Sequence, residues 1–298
     1  MQFLSDVEKK HDIIQASIDK YGYAPEHNFD WYLCNTEPNQ IAVVAFWPDG
    51  ELLLTHKEKK EWYVFSEPVM PVRDAGTRIA EFASRVFEDV EIKKIVFELR
   101  AETRRAALNA LPKTLRACAI NYTLVWPVMN MKSFDPALPG KHWKHIRNAR
   151  NAFYRDHKVE VFGAKTREKE ELHALIDAWK KTRPAHDRAY THTFHHLIDY
   201  SFRGTSEARA FVVDGRLRGL NAGWKIPNSD LYYGSVGIHD YFHRDLGLIL
   251  YLDDLVWLKE RGYSETDMGG GEGALTAFKN QIFPERWYKT FVFSIVRR

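Results

Sequence analysis

Asp267-Met-Gly-Gly-Gly-Glu-Gly-Ala-Leu-Thr-Ala-Phe-Lys-Asn-Gln-Ile-Phe-Pro284 decides how this chain is read. The run before it, Tyr263 to Asp267, reads as a short strand, and four glycines then fall within five residues. Beyond them Ala274, Phe278 and Ile282 keep the spacing of one helix face. Strand, glycine turn and helix bring a ligand against bare backbone. Glycine permits φ > 0 and exposes N–H groups, and the helix start adds the positive end of its dipole. Gly269, Gly270 and Gly271 are therefore candidate binding residues, and Lys279 on the helix supplies a cation for a carboxylate, a phosphate or a developing oxyanion. A tight connection that binds nothing would use the same glycines.

Two familiar glycine loops do not fit. A phosphate-cradling P-loop ends in Gly-Lys-Ser/Thr, which is absent. Gly269, Gly271 and Ala274 match G-x-G-x-x-A, but a dinucleotide fold needs that fingerprint at the start of a βαβ unit, and only one strand remains before Arg298.

With 298 residues the chain has room for one large or two modest domains. A formal net charge of +3 is too small to imply a nucleic-acid partner by itself, so any basic surface has to be local. Cys34 and Cys118 are too few for a disulfide scaffold and suit a reducing compartment. The N-terminal residues lack signal-peptide architecture, and no apolar run is long enough to span a bilayer. A cytoplasmic protein without stable membrane insertion is expected.

Residues 1–21 read as an amphipathic helix and Trp31 to Cys34 as a strand. Pro48-Asp49-Gly50 joins Ile41–Trp47 to Glu51–Thr55 as a hairpin. Trp62–Ser66 (strand), 74–87 (helix), Lys94–Leu99 (strand), 102–110 (helix) and Asn121–Trp126 (strand) follow. The second half repeats this order. His157–Phe162 is a strand, and Leu172, Leu175, Ile176 and Trp179 mark a helix that Thr166 could cap. Asp214-Gly215 joins the hairpin Arg209–Val213 and Leu217–Lys225. Leu231–Val236 (strand), Leu246–Lys259 (helix), Tyr263–Asp267 (strand), Ala274–Ile282 (helix) and Trp287–Val296 (strand) complete it. The doubled order predicts two similar α/β domains. The Pro- and Gly-bearing stretch from Asn130 to Gly140 separates them, giving 1–135 and 136–298.

Gly140 to Lys158, just after that linker, carries six Lys or Arg and one acid. On a helix Trp143, Ile146, Ala149 and Phe153 share one face, with Lys144, Arg147, Asn151 and Lys158 roughly opposite. Such a face suits phosphates, and it also suits plain solvation.

Gly140-Lys-x-x-Lys-x-x-Arg-Asn-x-x-Asn, followed by Glu260-Arg-Gly-Tyr263, the glycine triplet and Phe278-Lys279, resembles a known group. It is similar to the tandem GNAT-like acyltransferases related to the soluble domain of phosphatidylglycerol lysyltransferase and, more distantly, to the Fem peptidyltransferases. The resemblance spans about 30 to 295, and its specific parts are Gly140–Asn151 and Gly262–Pro284. It implies an α/β (α+β) fold of two tandem GNAT-like domains, each a mixed, mostly antiparallel sheet flanked by helices. Known members move an aminoacyl group from aminoacyl-tRNA to an amine or hydroxyl of a lipid or cell-wall precursor. By position, Lys144 and Arg147 match the basic motif and Lys279 the lysine after the last glycine turn. Glu272 in the loop and the lack of a membrane span depart from the pattern.

Aminoacyl transfer needs a base for the acceptor amine and positive groups for the tetrahedral oxyanion. Glu272, Asp267 and His239 are base candidates in that order, Lys279 and the amides of Gly269 to Gly273 oxyanion or phosphate candidates. Lys144, Arg147, Asn151 and Tyr233 are further substrate-binding candidates. The expected donor is aminoacyl-tRNA, with no permanently bound cofactor, and the acceptor a small molecule, lipid headgroup or peptide. The rival within the fold is an acyl-CoA N-acyltransferase, which grips pyrophosphate with Arg/Gln-x-x-Gly-x-Gly/Ala at a helix start. Arg244 and Gly247 match that pattern as cofactor-binding candidates, but Ile249 replaces the second small residue and Asp245 adds a negative charge. A third reading is a tRNA- or nucleotide-binding protein without turnover. His186, His192, His195 and His196 lack a convincing third ligand, so no metal site is expected, and with Tyr190, Phe194 and Tyr200 they suit an acceptor-channel wall.

Overall fold

The computed structural model describes residues 1–183 and 191–298. The chain forms two compact units: one comprises Met1–Pro127, Ile226–Ser229 and Gly270–Arg298, the other Val128–Lys225 and Asp230–Gly269. In chain order the elements are β1 (Gln2–Leu4), α1 (His11–Tyr21), α2 (Phe29–Cys34), β2 (Ile41–Phe46), β3 (Leu52–Glu58), β4 (Glu61–Val64), α3 (Val72–Val86), β5 (Lys94–Arg100), α4 (Ala101–Ala110), β6 (Leu115–Ala117) and β7 (Tyr122–Asn130). There follow α5 (Lys144–Asp156), β8 (Val159–Gly163), α6 (Lys169–Lys181), α7 (Thr191–Asp199), β9 (Glu207–Val213), β10 (Arg216–Lys225), β11 (Leu231–His239), α8 (Leu246–Glu260), β12 (Glu265–Asp267), α9 (Gly273–Asn280) and β13 (Arg286–Arg297).

In the first unit the strands run β1-β2-β3-β4-β5-β13-β7, with β6 against β13. β4 and β5 are parallel, while β13 is antiparallel to β5. Strand alternation divides the apolar residues between two faces. Val43, Ala45 and Leu53 pack with Ile79, Phe82 and Ala83 of α3, while Val44, Leu52 and Leu54 pack with Ile14, Ile18 and Tyr32 of α1 and α2.

In the second unit the order is β7-β12-β11-β10-β9-β8. β11 and β12 are parallel over only Leu231–Tyr233 and Glu265–Asp267. β11 then continues alone to His239, against β10. The register of β10 shifts at Ala222/Gly223, where an added Cβ would lie 2.1 Å from the Tyr233 carbonyl oxygen, so only glycine fits. Leu246, Ile249 and Leu250 of α8 pack with Phe211 and Val213 of β9 and with Phe153 of α5.

The fold is the mixed, mostly antiparallel α/β architecture that the resemblance implies, with three local differences from the sequence reading. Trp31–Cys34 is helical, because the Asn28 side chain accepts the Trp31 N–H at 2.9 Å and caps α2. Thr166 does not cap α6: its hydroxyl donates to the Gly163 carbonyl, and the N-cap is Glu168. The N-terminal segment begins as a strand paired with β2. The compact units do not follow chain order, since residues 270–298 lie with the first. Long-range pairing of β13 with β5 and β6 produces that return, and no linker composition announces it.

Candidate active site

The glycine turn is built tightly. Asp267 is buried at the end of β12, and its Oδ1 accepts the Gly269 N–H at 2.9 Å. Gly269 has φ +81, which glycine tolerates best. Gly270 is needed for close approach, since a Cβ there would lie 2.8 Å from the Trp126 ring. Gly271 exchanges both backbone hydrogen bonds with Val125 at 3.0 Å. The amides of Gly269 and Gly271 are thus already committed. Gly270 alone of the three has no hydrogen bond to its N–H among the described residues. Glu272, the N-cap of α9, is exposed, whereas Lys279 is buried in the last turn of α9.

Beside Trp126 the first unit holds a buried polar relay that sequence reading did not find. Trp126 Nε1–H donates to Thr290 Oγ1 at 2.8 Å, and Thr290 donates to Glu98 Oε1 at 2.5 Å. Burial pushes the Glu98 carboxyl up; Thr290 opposes this and Glu67 adds to it. Tyr288 stacks on Trp126 and carries the Arg100 guanidinium 4.3 Å from its ring centre. These residues come from β5, β7 and β13, so no local motif marks them.

In the second unit, the point where β11 and β12 part opens a narrow slot of about 20 Å³, room for about one water. Asn221, Tyr232, Tyr251 and Asp254 give it polar walls, and Gly234 of β11 and Met268, just past the end of β12, flank it. Burial pushes the Asp254 carboxyl up to about 7, although Arg209 pulls the other way. Arg209 also pairs with Asp253, the neighbouring residue on α8. A second cavity of about 200 Å³ lies between residues 134–138, α5 and α8, with Arg150, Tyr154 and Asp253 among apolar neighbours. Tyr233 is buried edge-on against Trp224.

The start of α8 is poorly shaped for pyrophosphate. A Cβ at Gly247 would lie 2.6 Å from the His239 imidazole, so that glycine serves ring packing. Ile249 is fully buried in the core. Asp245 occupies the N-cap position at φ +67 without a side-chain capping hydrogen bond, and the Arg244 side chain is almost wholly exposed. Burial, reinforced by Arg183 and opposed by Asp240, lowers His239 to about 4, so its imidazole is neutral near pH 7.

Helix α5 buries Ile146 and Phe153 and exposes Lys144 and Asn151, as its periodicity predicts. Arg147 does not project freely. One of its guanidinium nitrogens donates to the carbonyls of Leu138 and Gly140, and Arg150 donates to Pro136 at 2.7 Å. Both arginines tether the linker. In α7, His195 meets His173 of α6 with Nδ1 atoms 2.7 Å apart, and His192 and His196 face each other at 5.9 Å between ring centres. His186 and Tyr190 lie outside the described residues.

Residues 140–280 match the model of the family described as Acetyltransferase (GNAT) domain. Among solved structures, the chain is similar to the C-terminal domain of a putative lysylphosphatidylglycerol synthetase from Agrobacterium fabrum: TM-score 0.69, 14% identity, 96% of this chain and 91% of that one. It is similar to FemX at TM-score 0.65 and 12% identity, over 99% of this chain and 97% of that one. It is also similar to a tandem GNAT protein from the clavulanic acid biosynthesis pathway at TM-score 0.52 and 13% identity, over 99% and 98%. No curated protein matches the sequence. Residues 140–280 thus resemble a GNAT domain, and the protein is an acyltransferase of tandem GNAT-like fold. No helix among the described residues is long and apolar enough to cross a membrane.

Proposed function

We propose that this protein transfers an aminoacyl group from aminoacyl-tRNA to an amine or hydroxyl acceptor. The observation that carries the reading is the start of α8. His239 packs on Gly247, Asp245 sets a negative charge on the turn, and Ile249 belongs to the core, so a CoA pyrophosphate finds little purchase. An acyltransferase without that grip needs another donor. The neighbours named for lysylphosphatidylglycerol synthetase and FemX support an aminoacyl donor. The exposed Lys144 and Asn151 on α5 offer contacts to a nucleic-acid backbone.

In this reading Gly270 N–H and the Lys279 ammonium stabilise the tetrahedral oxyanion, while Glu272 takes the acceptor proton. Asp267 holds the turn by accepting the Gly269 N–H. His239, lowered to about 4, is too weak a base to lead. Loss of an oxyanion donor commonly costs about 10²–10³ in kcat. Lys279→Met should therefore cut turnover by that order while aminoacyl-tRNA binding holds.

The rival donor is acetyl-CoA, favoured by the description of the matched family and by Arg244 with Gly247. The experiment sets acetyl-CoA against charged and uncharged total tRNA at one salt concentration. It then follows loss of labelled amino acid from the tRNA into candidate amines and hydroxyls. Binding that depends on aminoacylation, without CoA binding, is the expected result. Micromolar acetyl-CoA binding abolished by Arg244→Ala, with no tRNA binding, would overturn it.

A further inference from the structure

Three metal-ligating side chains that no sequence spacing connects meet at one edge of the second unit. His157 is the C-cap of α5, its backbone N–H bonded to Phe153 O at 2.9 Å. Asp214 opens the two-residue turn between β9 and β10 at φ +50. His243 lies in the segment between β11 and α8. One ligand atom from each lies within 4.8 Å of the others. His157 Nδ1 and Asp214 Oδ2 are 2.7 Å apart, and the two imidazoles stand at 70° with centres 4.4 Å apart. The Lys158 N–H donates to Asp214 Oδ1 at 2.9 Å and sets the carboxylate. The Phe153 ring backs both imidazoles, at 4.9 Å and 6.0 Å.

A hairpin latch explains part of this. Asp214 ties the turn to His157 and Lys158, and needs no third partner. It leaves His243 unexplained, for its ring nitrogens make no hydrogen bond among the described residues.

We propose that His157, Asp214 and His243 bind a first-row divalent cation of the zinc type, which fastens the end of α5 to the segment leading into α8. Two imidazole nitrogens and one carboxylate oxygen suit Zn²⁺, Ni²⁺ or Cu²⁺, whereas Ca²⁺ and Mg²⁺ prefer all-oxygen shells. With metal–ligand bonds of about 2.0–2.2 Å, tetrahedral ligand atoms sit roughly 3.3 Å apart. The observed 2.7 Å and the 4.8 Å limit bracket that spacing, so modest side-chain rotations complete the shell. Asp214 is exposed and both histidines are partly so, which leaves water a place in the fourth position. The Lys158 N–H supplies the outer hydrogen bond that ligating carboxylates usually have. The role is structural, and it stands whether the donor is aminoacyl-tRNA or acyl-CoA.

The test uses the full chain stripped with a chelator, titrated with Zn²⁺ against a chromophoric competitor and followed separately by the visible spectrum of Co²⁺. One ion per chain is expected, with a rise in Tm on adding zinc. His157→Ala and His243→Ala should each weaken binding by roughly 100-fold and abolish the Tm rise. Asp214→Asn keeps an acceptor for the Lys158 N–H and tolerates the positive φ, and should weaken binding by roughly 10-fold. Far-UV CD checks that each variant folds, and the paired His192→Ala/His196→Ala variant should bind as wild type. No stoichiometric zinc binding, equal binding by wild type and His243→Ala, or loss only in the His192/His196 variant would each overturn the proposal.

Discussion

Asp254 shows how one side chain ties stability to pH. Burial raises its carboxyl from 3.8 to about 7, so folding takes up a proton between those values. The stability this confers is complete below about 4 and lost as pH rises through 7. Asp254→Asn keeps an acceptor for Arg209 and has no proton to lose. It should overtake wild type as pH rises, by about 1–3 kcal/mol at pH 8, with the difference shrinking toward pH 4. Urea unfolding at pH 5 and pH 8 measures this, and an equal difference at both would refute it. Nothing around Asp254 in the sequence signals that burial. Asp253-Asp254 is simply part of the Leu246–Lys259 helix in the sequence, and Arg209, which is brought beside it, lies 45 residues earlier. The glycines were more legible, because a positive φ and a close approach leave few other residues possible. Their amides were not. That Gly271 is bonded to Val125 depends on a strand more than a hundred residues away.

Helix α5 separates two uses of positive charge. Its apolar face, with Ile146 and Phe153, follows directly from helical spacing. What its cations do does not. Arg147 and Arg150 hold the linker carbonyls, while Lys144 stays in solvent. Arg147→Ala should therefore cost about 1–2 kcal/mol through lost charged hydrogen bonds, and Lys144→Ala less than about 0.5 kcal/mol. If the exposed face contacts RNA, Lys144→Ala should lower affinity for every tRNA alike and reduce the log–log salt slope by about 1. Urea unfolding and filter binding at several salt concentrations decide the two halves. An unchanged salt slope would remove Lys144 from the interface. At α2 the local rule misleads for a similar reason: Trp31–Cys34 has strand-like composition, but Asn28 caps it into a helix packed on Leu52 and Leu54.

Across the whole chain, the return of β13 is the feature with most consequence. It lies between β5 and β7 in the strand order, pairing with β5 from Thr290 to Ile295. Residues 1–127 alone lack that strand and should not fold. A fragment joining 1–127 to 270–298 through a short Gly/Ser linker should unfold cooperatively, because Val125 and Gly271 are already paired. Cooperative unfolding of 1–127 by itself would refute this. The alternation of strands and helices, the doubled order and the amphipathic faces are legible from the residues alone. Those follow from side-chain periodicity and turn chemistry within a few residues. Long-range packing assigns β13 to its unit, leaves the Gly270 amide unbonded among the described residues, occupies Arg147 and Arg150, buries Asp254 beside Arg209 and assembles the His157–Asp214–His243 cluster. Each of these rests on contacts between residues far apart in the chain, and periodicity carries no information about such pairings.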